Sequence, residues 1–113
     1  MLHSMKLQDG PFKRMLDGVK ILELRLYDEK RRSIKLGDEI EFSRLSNVNE
    51  KIKTVVTGLL IYNTFAELVQ DLPASYMGYS ELDKEYLKKS MYEVYSPEDE
   101  LKYGALGIRF KVL

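Results

Sequence analysis

The chain has 113 residues, of which 44% are hydrophobic and 11% are aromatic, enough to bury one core, and no stretch suggests a second. Its 18 basic and 18 acidic residues balance, which excludes the strong positive field of a general polyanion-binding domain. Because cysteine is absent and His3 is the only histidine, disulfides, thiolate nucleophiles and multi-histidine metal centres are excluded. With neither a membrane-spanning apolar run nor a secretory signal, we expect a cytoplasmic protein without membrane contact, metal or other cofactor.

The first half of the chain predicts three strands and one short helix. A strand before residue 9 precedes a helix that begins near Pro11, because a capping residue and a proline mark the first turn, and that ends at Asp17-Gly18. Residues 20–28 then alternate, with three leucines on one face and charged residues on the other, which is the period of a half-buried strand. A polar loop is predicted to lead from it into a strand over residues 39–45.

The second half predicts a long strand, two helices and a terminal strand. Residues 46–50 are predicted to form a loop and residues 51–62 a strand with a bulge or bend at Gly58. The capping box of Thr64 and Glu67 begins a helix that ends before Pro73.

A second capping signal, Ser80 with Asp83, predicts the longest helix. Its apolar stripe consists of Leu82, Tyr86, Leu87, Met91 and Val94. After one more helical turn and a terminal strand, the element order is β, α, β, β, β, α, α, β. This order predicts an α+β fold whose small mixed sheet curls into a barrel, with helices closing one side.

Three charged residues fall in or beside the strand predicted over residues 20–28. Glu23 and Arg25 share its polar face, whereas Lys20 lies three positions before Glu23 and would point to the opposite face of a regular strand. If Lys20 and Glu23 line one cleft, Lys20 must therefore lie in the preceding turn or at a bulge. The three charges either form a ligand site or a structural ion pair that braces the mouth of the barrel.

The spacing of Gly18, Lys20, Glu23 and Arg25, followed by the turn Gly37-Asp38, resembles the signature of the ASCH domain family in the PUA-like superfamily. The likeness continues in three later segments: Tyr62-Asn63-Thr64-Phe65, Tyr95-Ser96 and Tyr103-Gly104-Ala105-Leu106. It implies one domain over residues 1–113, a PUA-like β-barrel of about five or six mostly antiparallel strands with three or four short helices packed on it. It also implies a cleft at Lys20, Glu23 and Arg25 that receives RNA or a modified nucleoside.

The chemistry of these side chains suits a nucleotide ligand. Arg25 offers a fork of donors for a phosphate or a base edge, and Lys20 offers a point charge. Glu23 would accept hydrogen bonds from an exocyclic amine or a ribose hydroxyl, while Tyr27 or Tyr76 would stack on an unpaired base. The rim of the cleft would carry Lys30, Arg31 and Arg32. We therefore predict an RNA- or nucleotide-binding module, although composition alone favours solvated charge on a turn as the explanation of the basic cluster.

An amidohydrolase is the alternative from a different class. The chain resembles, more distantly, the bacterial N4-acetylcytidine amidohydrolases, whose lysine matches Lys20 but whose proposed threonine nucleophile falls on Glu23. In that hypothesis the catalytic pair is Lys20 and Glu23: Glu23 would act as a general base for water, and Lys20 would balance its charge or stabilise an oxyanion. A protein-interaction adaptor is a third interpretation, so the sequence leaves enzymatic activity open.

Overall fold

The structure, a computed structural model, describes residues 1–113 and contains one curled sheet of five strands. The strands are β1 (Leu2–Leu7), β2 (Leu22–Leu26), β3 (Glu39–Arg44), β4 (Asn47–Tyr62) and β5 (Ala105–Val112). Their order across the sheet is β1-β3-β4-β5-β2, with β1 parallel to β3 and every other pair antiparallel. The two edges of the sheet are therefore β1 and β2.

Five α-helices connect the strands: α1 (Asp9–Leu16), α2 (Glu29–Arg32), α3 (Phe65–Asp71), α4 (Lys84–Val94) and α5 (Pro97–Tyr103). Two single 3₁₀ turns, Ala74–Met77 and Glu81–Asp83, lie between α3 and α4. No helix combines the length and the apolar character that a bilayer span requires.

The predicted α+β fold with a curled mixed sheet is confirmed, and three local predictions need correction. Residues 46–50 are not a loop, because β4 begins at Asn47 and pairs there with Arg44 across a two-residue turn. The first residues of β4 are polar and exposed, so their composition resembled that of a loop. The polar segment after β2 contains α2, because the Asp28 carboxylate accepts a hydrogen bond from the backbone N–H of Arg31 and caps a helical turn.

The third correction concerns the apolar stripe predicted for α4. Leu87 is buried and Met91 packs beside it, but Tyr86 is 61% exposed and Leu82, which precedes the helix, is 96% exposed. Because α4 packs on the fold along a single row of side chains, apolar residues off that row remain in solvent.

Two apolar clusters, on opposite faces of the sheet, form the core. The α1-side cluster contains Phe12 and Met15 of α1 together with residues of β1, β3, β4 and β5. The α3-side cluster contains the three leucines of β2, residues of α3 and Leu87 of α4. Alternate residues of β5 serve both clusters, Ala105 on the α3 side and Leu106 on the α1 side, so this strand is buried on both faces.

The junction of α5 with β5 requires a glycine at position 104. Gly104 has a φ of +82° and a ψ of −177°, a conformation that is essentially restricted to glycine. A Cβ at this position would lie 2.9 Å from the backbone oxygen of Tyr62.

Gly104→Ala is therefore expected to lower the free energy of unfolding by about 1 to 3 kcal/mol, since it adds backbone strain and a steric clash. Gly10→Ala is the matched control, because Gly10 lies in α1 and a Cβ added there would be no closer than 3.4 Å to a neighbouring side chain. That control should be neutral or stabilising by up to about 1 kcal/mol. Urea unfolding of both variants measures the difference in free energy of unfolding. Equal stabilities would contradict the requirement for glycine at position 104.

Asp38 joins β1 to the start of β3. Its Oδ2 lies 2.9 Å from Nε2 of His3 and accepts a 3.0 Å hydrogen bond from the backbone N–H of Lys35. These contacts, the one with His3 foremost, lower the pKa of Asp38 to about 2.

Asp38→Asn is expected to lose stability chiefly above pH 4. Because the pKa of Asp38 falls from 3.8 to about 2 on folding, its carboxylate stabilises the native state above pH 3.8, and this contribution disappears as the pH falls towards 2. The difference in free energy of unfolding between wild type and variant should therefore shrink over that interval. Urea unfolding at several pH values measures it, and a difference that is constant with pH would contradict the linkage.

Candidate functional site

The register of β2 places its charged residues on the α1 side of the sheet. Glu23 pairs with Ile108, and Arg25 pairs with Leu106. Directly opposed residues of neighbouring strands project to the same face, and both partners belong to the α1-side cluster. The polar face of β2 therefore lies against an apolar core, not against open solvent.

Lys20, Glu23 and Arg25 form one connected group, here called the charged triad. Lys20 lies in the turn before β2, where its Nζ is 3.3 Å from Oε1 of Glu23 and donates a 2.9 Å hydrogen bond to the backbone oxygen of Leu22. Nε and Nη2 of Arg25 donate to Oε2 of Glu23 at 3.1 and 2.8 Å. The predicted condition for a shared site, Lys20 in the turn, is met.

Two members of the charged triad are almost completely removed from water, and Arg25 is partly buried. Lys20 is 6% exposed and Glu23 is 7% exposed. Burial alone would raise the pKa of Glu23, but the charges of Lys20 and Arg25, with the hydrogen bonds from Arg25, outweigh it and hold that pKa below its ordinary value. Glu23 is thus an ionised carboxylate whose two oxygens already have partners.

Arg25 also connects the two edges of the sheet. Its Nη2 donates a 2.8 Å hydrogen bond to the backbone oxygen of Lys6, which belongs to β1. β1 and β2 are the two edge strands and do not pair with each other. The guanidinium of Arg25 therefore bridges the gap between the two edges of the curled sheet, which is the open side of the barrel. Glu23 fixes the guanidinium in the orientation that makes this bridge.

A cavity of about 440 Å³, here called the seam cavity, opens beside this bridge. Its lining includes four cations and no carboxylate: Lys6, Arg25, Lys30 and Arg31, together with Ser4, Met5 and Ser43. Nη1 of Arg31 is held 2.9 Å from the Asp28 carboxylate, while its Nε is buried without a hydrogen-bond partner. No three carboxylate or imidazole side chains are grouped in a way that would hold a metal ion.

Tyr95 packs against the α3-side cluster and does not line the seam cavity, although the charges of Glu23, Arg25 and Arg31 act on its hydroxyl. Burial raises the pKa of its hydroxyl, Glu23 raises it further, and the cations Arg25 and Arg31 oppose both effects. Its ring stacks on Phe65 with centroids 5.0 Å apart. The segment Tyr95-Ser96 contributed to the family resemblance, so that signal already pointed to Tyr95.

The remaining predicted residues lie elsewhere. Tyr27 and Arg32 line a second cavity of about 730 Å³, here called the α5 cavity, whose other walls come from the end of β4, the cap of α3 and the helix α5. The ring of Tyr76 lies 5.1 Å from the guanidinium of Arg109 and lines neither cavity. The structure therefore brings together Lys20, Glu23, Arg25, Lys30 and Arg31, and separates Tyr27, Arg32 and Tyr76 from them.

Comparison with known families gives one match over nearly the whole chain. The model of the ASCH domain matches residues 5–112. No curated protein matches the chain closely enough to be compared with it.

Solved structures with the same fold include two of similar length. The crystal structure of the hypothetical protein PH0355 is 33% identical, with a TM-score of 0.86 and full coverage of both chains. The solution structure of protein PF0455 from Pyrococcus furiosus is 29% identical, with a TM-score of 0.69 over 100% of this chain and 98% of that one. An ASCH domain from Lactobacillus crispatus is 14% identical and shares the fold, with a TM-score of 0.65 over 97% of this chain and 79% of that one.

Glu23→Gln is expected to lower the free energy of unfolding by about 3 to 5 kcal/mol, because it leaves the buried ammonium of Lys20 without a counter-charge. The matched control is Glu41→Gln, which breaks the 3.2 Å pair with the half-exposed Lys51 and should cost no more than about 1 kcal/mol. Chemical denaturation of both variants measures the contrast. Equal losses would mean that burial does not distinguish the two carboxylates.

Proposed function

The chain belongs to the ASCH domain family, whose members are thought to bind RNA, and we propose that it binds RNA or a nucleotide by placing a phosphate in the seam cavity. In this proposal residues 1–113 form one ASCH domain. The observation that carries it is the lining of that cavity, which has four cations and no carboxylate in a chain of zero net charge. Such a local concentration of positive charge favours an anionic ligand.

Arg25 is the central phosphate ligand in this proposal. Its Nε and Nη2 are engaged by Glu23 and Lys6, so the guanidinium is fixed before any ligand arrives and Nη1 is left for a phosphate oxygen. A donor that is already oriented loses little conformational entropy on binding. Glu23 acts here as a positioning residue, because its carboxylate holds the arginine and does not face the ligand.

Arg31 and the two lysines complete the site. Arg31 lines the cavity and supplies a second guanidinium, and the exposed Lys30 supplies a further positive charge at the rim. Because the chain as a whole carries no net charge, we expect few phosphate contacts and a modest dependence on salt.

The amidohydrolase alternative stays a prediction. Its general base would be Glu23, which works best with a pKa near neutrality and a free lone pair. The lowered pKa of Glu23 and the pairing of both its oxygens with Lys20, Leu24 and Arg25 favour the binding function over that mechanism. A protein partner also stays a prediction.

Arg31→Gln is expected to weaken binding of a fluorescein-labelled single-stranded RNA and to reduce the slope of log affinity against log salt by about 0.7, the value for one lost phosphate contact. Fluorescence anisotropy at four salt concentrations measures both quantities. Lys89→Gln is the charge-matched control, because Lys89 is exposed and lines neither cavity. No binding by the wild type, or equal slopes for the two variants, would contradict the proposal.

A further inference from the structure

We propose that the RNA ligand crosses α2, with a phosphate in the seam cavity on one side and an unpaired base stacked on Arg32 in the α5 cavity on the other. This inference rests on the proposed function and names its ligand class as single-stranded RNA of at least two nucleotides.

Helix α2 separates the two cavities and supplies a basic side chain to each. Lys30 and Arg31 line the seam cavity, whereas the next residue, Arg32, lines the α5 cavity. Consecutive residues of a helix point about 100° apart, so a single turn can serve two adjacent surfaces. An RNA chain that leaves the seam cavity across α2 therefore meets Arg32 next.

The guanidinium of Arg32 is held as a fixed plane. Its Nε donates a 3.0 Å hydrogen bond to the backbone oxygen of Tyr27, and its Nη2 donates a 3.1 Å bond to that of Tyr103. One face of the plane rests on the ring of Tyr27, with 4.1 Å between the guanidinium carbon and the ring centroid. Arg32 is nevertheless exposed and lines the α5 cavity, and the proposed base would stack on the guanidinium face turned away from Tyr27.

A nucleobase is the ligand that this surface fits. Proteins that bind unpaired RNA stack splayed-out bases on aromatic rings and on the planes of arginine guanidinium groups. The walls of the cavity add the ring of Tyr103 and the exposed side chain of Asn63, which can donate and accept hydrogen bonds at a base edge. The carboxylate of Glu100 also lines the cavity, but it accepts a 2.9 Å hydrogen bond from the backbone N–H of Phe65.

The two cavities together favour single-stranded RNA over a free nucleoside or a duplex. A free nucleoside would reach only one of the two cavities, and a duplex would keep its bases stacked and out of reach of Arg32. Single-stranded RNA satisfies both cavities at once, because its backbone follows a charged surface while a base turns outward.

The test combines an abasic scan with substitution of Arg32. A hexanucleotide of single-stranded RNA is prepared intact and with one abasic residue at each position in turn, and the affinities are measured by anisotropy for wild type, Arg32→Lys and the control Lys89→Gln. In wild type and the control, removing one particular base should weaken binding about tenfold, the scale of one stacked base. In Arg32→Lys, which keeps the charge but loses the plane, the same deletion should have little effect, so the two changes are not additive.

The outcomes separate the two proposals. If the wild type does not bind the intact hexanucleotide, the proposed function fails and this inference fails with it. If the wild type binds but tolerates every abasic position, or if removing the same base weakens binding equally in wild type and in Arg32→Lys, only the stacking site is overturned. Thermal unfolding checks that Arg32→Lys is folded. If it is not, a wild-type scan that tolerates every abasic position still overturns the stacking site.

Discussion

The structure depends on the interaction between the Glu23 carboxylate and the guanidinium of Arg25 at the open side of the barrel. Arg25 can bridge from β2 to the Lys6 carbonyl of β1 only because Glu23 accepts two of its hydrogen bonds. Lys20 places a second cation beside the same carboxylate, and the two cations together keep Glu23 ionised next to an apolar cluster. Removing Glu23 would leave two cations, Lys20 and Arg25, without their shared counter-charge, which costs several kcal/mol.

This arrangement makes the fold and the proposed site parts of the same network. The residues that close the sheet also line the cavity that would receive the phosphate. A substitution in the triad therefore changes stability and ligand binding together, and loss of binding alone does not identify a contact residue. Substitutions at the rim, such as those of α2, are better suited to dissect binding because they lie outside the buried group.

The sequence was sufficient to predict five strands along the chain, the capped start of α3 and the alternation of β2, since alternation and capping are local signals. The burial of Glu23 was not predictable from alternation, because a polar residue on a strand face ordinarily indicates solvent. The separation of Tyr27 and Arg32 from the charged triad depends on how α2 turns after β2, and its four residues carry no periodic signal. The stacking of Tyr95 on Phe65 joins residues 30 positions apart in the chain, which no local pattern encodes.

The bridge made by Arg25 has a further consequence for self-association. Unpaired edge strands expose backbone donors and acceptors that invite another chain to extend the sheet, and soluble proteins counter this with charged residues that point inward at the edge. Here the Lys6 carbonyl of β1 is occupied by a guanidinium from β2, and a buried ion pair stands behind it. The side chains that would attract a phosphate thus also hinder a second copy of the chain from pairing with this edge strand.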